Sequence, residues 1–567
     1  MHINFKKTRL IALFVLSISL FAILFGRLFY IQVINRNFYK ELAAKQHKLF
    51  IELVPRRGGI YDRRKRILAT YLEVPSIYAV PRQIIEKKYV ARALADAFDL
   101  DEEDLLKKLE RDNYFAWVKR KITGDEEARL KKLDLNGVYL NKEKKRFYPA
   151  GELACHVLGI VNIDNQGLEG VELAYDRILK GEPGWRRSFR DAKLREINYA
   201  RAEVLPARDG FGVVLTIDEI IQHIIEKELD FLVKEYRPDA VSIVAIEPST
   251  GEVLGLANYP AFDPNQLDRI EMDSVRNRAI TDSFEPGSVF KIVTASAVIE
   301  EKAADLEEEF FCENGTYRVA RRVLHDYRGY GTLTFREVIE KSSNIGTVKA
   351  ASRLGKEKLC EYITKFGFGK NTGIDLPGET RGIMRDPSGW SESDMTTVPM
   401  GQGIAVTPIQ LASAVSAIAN DGVLMKPHVL KEILNTEGIT VREEKPKPVR
   451  RVLSKEEALK VKELLMGVVE RGTGRRARLD NFTASGKTGT AQKVNPKGGY
   501  FKNKYIASFV GFAPSREPRV ALVVSLDNPR GEHLGGRVAA PAFKRIMENI
   551  LSYLEVESDR DETKRSS

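Results

Sequence analysis

The chain has 567 residues, more than one hydrophobic core can organise, so two or more domains are expected. Its 43% hydrophobic and 30% charged content excludes collagen, a disordered tail and a disulfide-rich miniprotein. The net charge of +11 leaves nucleic acid, a membrane or a solvated surface as its explanation, while three scattered cysteines (Cys155, Cys312, Cys360) and seven histidines offer no metal-site spacing.

Residues 10–26 are uncharged and mostly apolar, and the run continues to Ile34 with only Arg27 and Gln32 intervening. About 20 apolar residues cross a hydrocarbon core, so residues 10–34 are predicted to be a transmembrane anchor behind a short tail, 1–9. Lys6, Lys7 and Arg9 would also suit a secretory signal, but no small-x-small cleavage site follows. Arg36, Lys40, Lys45 and Lys48 lie just beyond the helix, so the charge rule does not orient it.

Residues 45–205 are charged, with helices predicted over 101–111 and 125–133. Near Asp209 the pattern changes: 213–217 reads as a strand and 219–233 as an amphipathic helix. Two apolar runs, 240–246 and 252–257, joined by Pro248-Ser249-Thr250-Gly251, predict an antiparallel hairpin. Helices are expected to dominate from Ser288 to about Arg471. Strands are predicted over 482–490, 506–512 and 520–526, and a last helix over 539–554 precedes a polar tail, 556–567. Strands at both ends with helices between predict an α/β domain whose sheet combines early and late segments.

Chemistry concentrates in three places. Pro286-Gly287 marks a helix start at which Ser288 begins the helix, and Ser288 and Lys291 stand at i and i+3, about 5–6 Å apart at Cβ on one helical face. A serine hydroxyl is a poor nucleophile until a base takes its proton. Lysine can be that base if desolvation or nearby positive charge lowers its pKa from about 10.4. The helix N-terminus would also favour negative charge at Ser288. Alone, S-x-x-K is weak, and an ordinary helix start with a solvated lysine explains it as well.

Ser342-Ser343-Asn344 and Lys487-Thr488-Gly489-Thr490 change that balance. Ser342 and Asn344 would diverge on a helix, so their joint action requires a loop or extended segment. Gly489 near a strand end would let a peptide substrate approach the backbone closely. Strict alternation would set Lys487 opposite the threonines, so a local twist at the glycine is needed if all of them are to meet one ligand. Gly486-Lys487-Thr488 also mimics the end of a phosphate-binding loop, but Asn481 stands where that motif demands glycine.

The ordered set S-x-x-K, S-x-N, K-T-G is similar to the signature of penicillin-binding proteins and class A β-lactamases. From end to end the chain resembles a class B penicillin-binding protein, a monofunctional peptidoglycan D,D-transpeptidase. Arg57-Gly58-Gly59-Ile60-Tyr61-Asp62-Arg63 resembles the family's R-G-x-I-x-D-R box, with Arg64-Lys65 where Asn-Gly is usual. Arg146-Phe147-Tyr148-Pro149, Gly167-Leu168-Glu169-Gly170-Val171-Glu172, Thr407-Pro408-Ile409-Gln410-Leu411 and Gly472-Thr473-Gly474 extend the likeness. Ser508-Phe509-Val510-Gly511 and Gly535-Gly536-Arg537-Val538-Ala539-Ala540-Pro541 resemble the septal, cell-division subtype. The basic run Arg63-Arg64-Lys65-Arg66, beside the family box, reads as a structural or solvated face instead of a nucleic-acid site.

The resemblance implies an α/β (α+β) transpeptidase-like catalytic domain over 210–555, with an antiparallel sheet flanked by helices. It also implies an elongated α+β pedestal over 45–205 and one transmembrane helix. Ser288 would attack the penultimate carbonyl of a stem peptide ending in D-Ala-D-Ala, with Lys291 accepting its proton. Ser342 would relay a proton to the leaving D-alanine, and Asn344 would hold the donor amide. Lys487, Thr488 and Thr490 would hold the terminal carboxylate beside Gly489, and the backbone N–H groups of Ser288 and Thr490 would stabilise the oxyanion. β-Lactams would acylate the same serine, and neither metal nor organic cofactor is implied. Implied partners are a SEDS-type membrane glycosyltransferase and other divisome proteins. The N-terminus would be cytoplasmic and the catalytic part extracytoplasmic, where three cysteines leave at least one unpaired, as a buried thiol. A catalytically silent division scaffold and a β-lactam sensor or hydrolase of the same fold are the alternatives.

Overall fold

The computed structural model describes residues 2–40, 48–190, 196–197, 203–319 and 322–560; Lys45 and residues 561–567 of the expected tail lie outside them. Helix α1, His2–Phe29, continues as one π-helical turn, Tyr30–Ile34. Its apolar side chains from Leu10 onward are exposed. Lys7–Ile34 is long and apolar enough to cross a membrane.

The chain clusters into two compact units. The first is Met1–Arg56 with Gly181–Asp209. In it β1, Lys48–Leu53, pairs antiparallel with the strand Gly184–Arg190. The second unit joins Arg57–Lys180 to Gly210–Ser567, so the middle of the expected pedestal clusters with the catalytic part.

A seven-stranded sheet explains that grouping. It contains β2 (Ile60–Tyr61), β3 (Ile67–Ala79), β4 (Val138–Phe147) and β5 (Gly212–Leu215). β3 and β4 pair along their length, from Thr70↔Phe147 to Ala79↔Val138. Three helices, α2 (Lys87–Phe98), α3 (Glu102–Glu110) and α4 (Gly124–Leu133), close over them with a core of Ile77, Leu94, Phe98, Leu105, Leu109 and Leu130. The Asp101 side chain caps α3 and a Thr123/Glu126 capping box starts α4, which is why these two helices were legible. β2 runs parallel to β5, with Ile60↔Val213 and Tyr61↔Val214. β5 is buried on both faces, as its unbroken apolar run Val213-Val214-Leu215 demands.

The motifs quoted from the N-terminal half converge on one buried cluster. Arg57 Nε and Arg146 Nε each donate to Glu172 at 2.6 Å, and Arg57 Nη1 reaches Asp176 at 2.7 Å. Tyr148 Oη donates to the same Glu172 carboxylate at 3.2 Å. Of the basic run, Arg63 is matched by Glu252 at 3.0 Å, Lys65 by Glu432 at 3.1 Å and Arg66 by Glu219 at 3.2 Å.

Beyond Asp218, which caps it, α5 (Glu219–Tyr236) runs one turn past its predicted end and buries Ile221, Ile225, Leu229 and Leu232. The predicted hairpin is β6 (Ala240–Ile246) with β7 (Val253–Tyr259). The helices that follow include α6 (Lys291–Glu300), α7 (Phe335–Glu340), α8 (Asn344–Ser352) and α9 (Pro408–Ala419). Helices do not hold this stretch alone. Glu309–Phe311 pairs with Thr332–Thr334, Thr316–Val319 with Arg322–His325, and Val423–Met425 with Pro448–Arg451. Each of these strands has only three or four residues, too few to show a period in sequence. β8 (Leu430–Leu434) and β9 (Thr440–Glu443) extend the seven-stranded sheet through β5, and α10 (Lys455–Glu470) follows.

The late strands are β10 (Ser485–Val494), β11 (Tyr500–Ala513) and β12 (Val520–Asp527). They join the early hairpin in a five-stranded antiparallel sheet of order β7-β6-β12-β11-β10, the predicted union of early and late segments. One face packs α5 and the last helix, α11 (Gly535–Tyr553), through Val241, Ile243, Phe509, Val524 and Phe543. The other packs the inner helices through Val244, Val510, Phe512 and Val523, the alternation expected of strands buried on both sides. α11 starts at Gly535 instead of 539. A Cβ on Gly535 would meet Gly489 O at 2.1 Å and Ser508 O at 2.4 Å, so glycine here serves contact with the sheet.

Candidate active site

Ser288 sits in a 3₁₀ turn, Gly287–Phe290, that runs straight into α6; Lys291, not Ser288, is the first α-helical residue. Gly287 has φ +54 and donates its N–H to Gly401 O at 3.0 Å. A Cβ there would meet Ala491 Cβ at 3.1 Å and Thr490 O at 3.3 Å, so the turn lies along β10. β10 is the edge of its sheet, which leaves one row of its backbone groups facing that turn.

Every residue from Lys291 to Ile299 is buried, so the helix carries the lysine out of water. Lys291 is fully buried and its Nζ lies 2.7 Å from Ser342 O, 2.8 Å from Asn344 Oδ1 and 3.2 Å from Ser342 Oγ. Burial lowers its pKa to about 7, against a partial opposing pull from the Asp326 carboxylate. Two carbonyl oxygens use both N–H bonds of a neutral amine, which leaves its lone pair for a hydroxyl proton.

The S-x-N geometry is solved by a turn. Ser342 adopts φ +60 after α7, and Asn344 begins α8, with the Ser343 side chain capping it by accepting from Gly346 N–H at 3.0 Å. A left-handed serine costs roughly 1–2 kcal/mol. Asp326, which no motif pointed to, holds the turn. Its carboxylate accepts from Ser343 Oγ at 2.6 Å and from the backbone N–H groups of Asn344 and Ile345. Asn344 Nδ2 donates to His325 O at 2.8 Å, leaving its second amide hydrogen for a ligand.

Lys487 is also fully buried; its Nζ lies 2.9 Å from Ser342 Oγ and 3.3 Å from Thr488 O. Burial, and then the charge of Lys291, push its pKa well down. Ser342 Oγ therefore stands between two buried amines.

The register of β10 with β11 is unbroken from Ser485↔Phe512 to Gln492↔Tyr505, so no bulge occurs at Gly489. Alternation holds. Lys487 faces Ser342, while Thr488 Oγ1 lies 2.9 Å from Thr473 Oγ1 and Thr490 Oγ1 accepts the Gly535 N–H at 3.0 Å. The threonine hydroxyls thus do not share the face of Lys487, because the ladder with β11 fixes the pleat. Gly489 also has a different task from the one expected: its Cβ would meet Ser508 Oγ at 2.4 Å, Val289 Cγ1 at 2.9 Å and Pro286 O at 3.1 Å. Glycine there lets the Ser288 turn pack against the strand.

Thr473 was quoted only as part of a motif. Its N–H donates to Glu340 O at 3.1 Å, and a Cβ on Gly472 would meet that same oxygen at 2.3 Å, which brings the loop to Thr488. The N-terminus of α11 lies beside both threonines and favours an anion. A cavity of about 600 Å³ flanks the site, lined by Phe284, Glu285, Gln492 and Lys493 among others. Neither Ser288, Lys291, Ser342 and Asn344 nor Lys487 to Thr490 lines it. All three cysteines are buried free thiols, and Cys312 Sγ lies 3.4 Å from Ser343 Oγ, behind the turn.

The turn that carries Ser288, two buried lysines around Ser342 and an edge strand carrying K-T-G make up one constellation. The sequence pattern of the penicillin binding protein transpeptidase domain matches residues 241–548, and that of the penicillin-binding protein dimerisation domain matches residues 52–215. The chain belongs to the class B penicillin-binding protein family. Stage V sporulation protein D of Bacillus subtilis is 37% identical over 99% of this chain and 88% of its own length. Peptidoglycan D,D-transpeptidase FtsI of Escherichia coli is 32% identical over 98% and 94%. Crystal structures of penicillin binding protein 3 of Mycobacterium tuberculosis with aztreonam and with ampicillin superpose with TM-score 0.71 at 30% identity, covering 90% of this chain and 98% of theirs.

Proposed function

We propose that this penicillin-binding protein is a serine peptidoglycan D,D-transpeptidase that cross-links stem peptides during septal wall synthesis and is acylated by β-lactams. The observation that carries the reading is Ser342 Oγ set between Lys291 Nζ and Lys487 Nζ, next to the turn that presents Ser288. Transpeptidase relatives of the FtsI and PenA type match nearly the whole chain.

Neutral Lys291 takes the Ser288 proton as Oγ bonds to the penultimate D-alanine carbonyl. The oxyanion lies against the backbone N–H groups of Ser288 and Thr490, where one lost donor typically costs about 2.7–4 kcal/mol. The proton on Lys291 passes through Ser342 Oγ to the amine of the terminal D-alanine as the C–N bond breaks. An amine from a second stem then attacks the ester, forms the cross-link and returns the proton to Ser288. Asn344 holds the donor amide. The terminal carboxylate lies by Thr488 and Thr473 at the α11 N-terminus, with Lys487 on the other side of the strand bonded to Ser342 Oγ.

The anchor helix retains the enzyme at the membrane, N-terminus in the cytoplasm and catalytic part outside. A SEDS-type glycosyltransferase and other divisome proteins are its partners there. Labelling with a fluorescent penicillin tests the chemistry: wild type labels once per chain and Ser288→Ala does not. Equal labelling of both would remove Ser288 as the nucleophile. Depletion tests the setting, with filaments expected; round cells would move the enzyme to elongation.

A further inference from the structure

Glu340 ends α7, two residues before Ser342, and its side chain and main chain grip the same loop. The carboxylate pairs with the Arg471 guanidinium, Nη2 to Oε1 and Nε to Oε2 at 3.4 Å, a fork that fixes direction as well as distance. Its backbone carbonyl accepts the Thr473 N–H at 3.1 Å. Arg471 directly follows α10, so Glu340 ties the end of α7 to the end of α10 at two points.

Two glycines make room for it. A Cβ on Gly467 would meet Glu340 Oε1 at 2.1 Å, and one on Gly472 would meet Glu340 O at 2.3 Å. Neither glycine has a positive φ, so both serve close approach instead of an unusual backbone. The pair itself is uneven: the Glu340 side chain is 7% exposed and that of Arg471 59%. Among the described residues Arg471 is the only partner of the Glu340 carboxylate. Desolvation offsets much of the attraction in such a pair, so stability alone explains it poorly.

What stands at either end of this tie gives it a task. At one end is Ser342 Oγ, between the amines of Lys291 and Lys487. At the other is Thr473 Oγ1, 2.9 Å from Thr488 Oγ1. In the mechanism above these two places receive the two ends of a single residue, the departing amine of the terminal D-alanine and its carboxylate. In an α-amino acid both groups sit on one carbon, so their separation is fixed. A rigid span between their two receptors measures it, and a small misplacement of either receptor is costly in rate.

We propose that Glu340 and Arg471 are positioning residues that set this span, so that the site selects a leaving group whose carboxylate lies one carbon from the leaving atom. The inference rests on the transpeptidase reading. Both side chains act through Thr473 and Ser342.

The full-length protein in detergent is given two thioesters, N-benzoyl-D-alanyl thioglycolate and N-benzoyl-D-alanyl 3-mercaptopropionate. Ser288 displaces the thiol in each, and the carboxylate lies one carbon from sulfur in the first and two in the second. Thiol release gives kcat/KM, and fluorescent-penicillin labelling counts the folded, active chains. Wild type is expected to prefer the shorter leaving group by at least about tenfold. Arg471→Met, and Glu340→Gln, which leaves no buried charge unpaired, are expected to lower kcat/KM for the shorter thioester about tenfold. The longer one should change by less than about twofold, so the preference collapses, and Arg471→Lys should restore most of it. A merely structural role would lower both thioesters together. That outcome, a preference kept at wild-type level in both variants, or no preference in wild type overturns the proposal, while Ser288-dependent labelling leaves the transpeptidase reading standing. Thiol release and penicillin labelling that are the same in wild type and Ser288→Ala would overturn both.

Discussion

Lys487 reaches from the edge strand to Ser342 across the cleft, Nζ to Oγ 2.9 Å. That bond joins the sheet to the helical side of the site. Both amines that surround Ser342 are stripped of water, so the protonation state of this small cluster governs the chemistry. Burial is the first cause at both amines; the Asp326 carboxylate opposes it at Lys291, and the charge of Lys291 adds to it at Lys487.

The pH dependence follows. In the proposed mechanism Lys291 is the base and serves only when neutral, so acylation should rise with pH through a midpoint near 7, falling about tenfold per unit well below it. The negative charge of Asp326 favours the ammonium and holds that midpoint up. Asp326→Asn removes it, so the acid limb should move to lower pH even if the maximal rate falls. Stopped-flow acylation across pH 5–9 measures both, and a midpoint that stays or rises would show that Asp326 only braces the turn.

Thr473→Val deletes the hydroxyl 2.9 Å from Thr488 Oγ1 while keeping the shape. A hydrogen bond to a charged group is worth about 1.5–3 kcal/mol, so acylation efficiency should drop roughly 10- to 100-fold, with the melting temperature little changed. Thr473→Ser should restore most of it. Full activity in the valine variant would exclude the hydroxyl from carboxylate binding.

Gly489→Ala places a methyl group within 2.4 Å of Ser508 Oγ and 2.9 Å of Val289. The Ser288 turn must shift, and about 1 Å of misplacement costs roughly 10²-fold in rate. Circular dichroism should remain native while acylation collapses. Unimpaired acylation would show that the strand, and not the nucleophile, gives way.

The three cysteines are buried and burial raises each thiol pKa, so they should be inert in the native state. Ellman's reagent should find no reactive thiol in the native protein and three after guanidinium unfolding. Fewer than three on unfolding would mean that two of them had been oxidised together.

The residues of the proposed site were legible because each motif is a short pattern of fixed local spacing. Ser288 and Lys291 stand three residues apart, and Ser342 and Asn344 two. Helices with caps, such as those starting after Asp101 and Thr123, were legible for a similar reason: the capping hydrogen bonds are made within four residues. Asp326 was not legible, because what makes it matter is a turn 17 residues away in the chain. The hairpin that carries it is too short to show a pattern. The left-handed backbone of Ser342 could not be read either, since serine has no preference that announces it.

By itself the sequence determined the long apolar N-terminal helix, the joining of early and late strands in one sheet, and the family's three motifs, all properties of local spacing and apolar period. Only the tertiary structure decided which side of β10 each group occupies, that Gly489 seats a turn, and that Thr473 stands beside Thr488. Those depend on the register of β10 with β11 and on packing between segments far apart in the chain. It also decided that Lys291 lies near neutrality at physiological pH, because desolvation is a property of everything packed around a residue and of nothing in its immediate sequence.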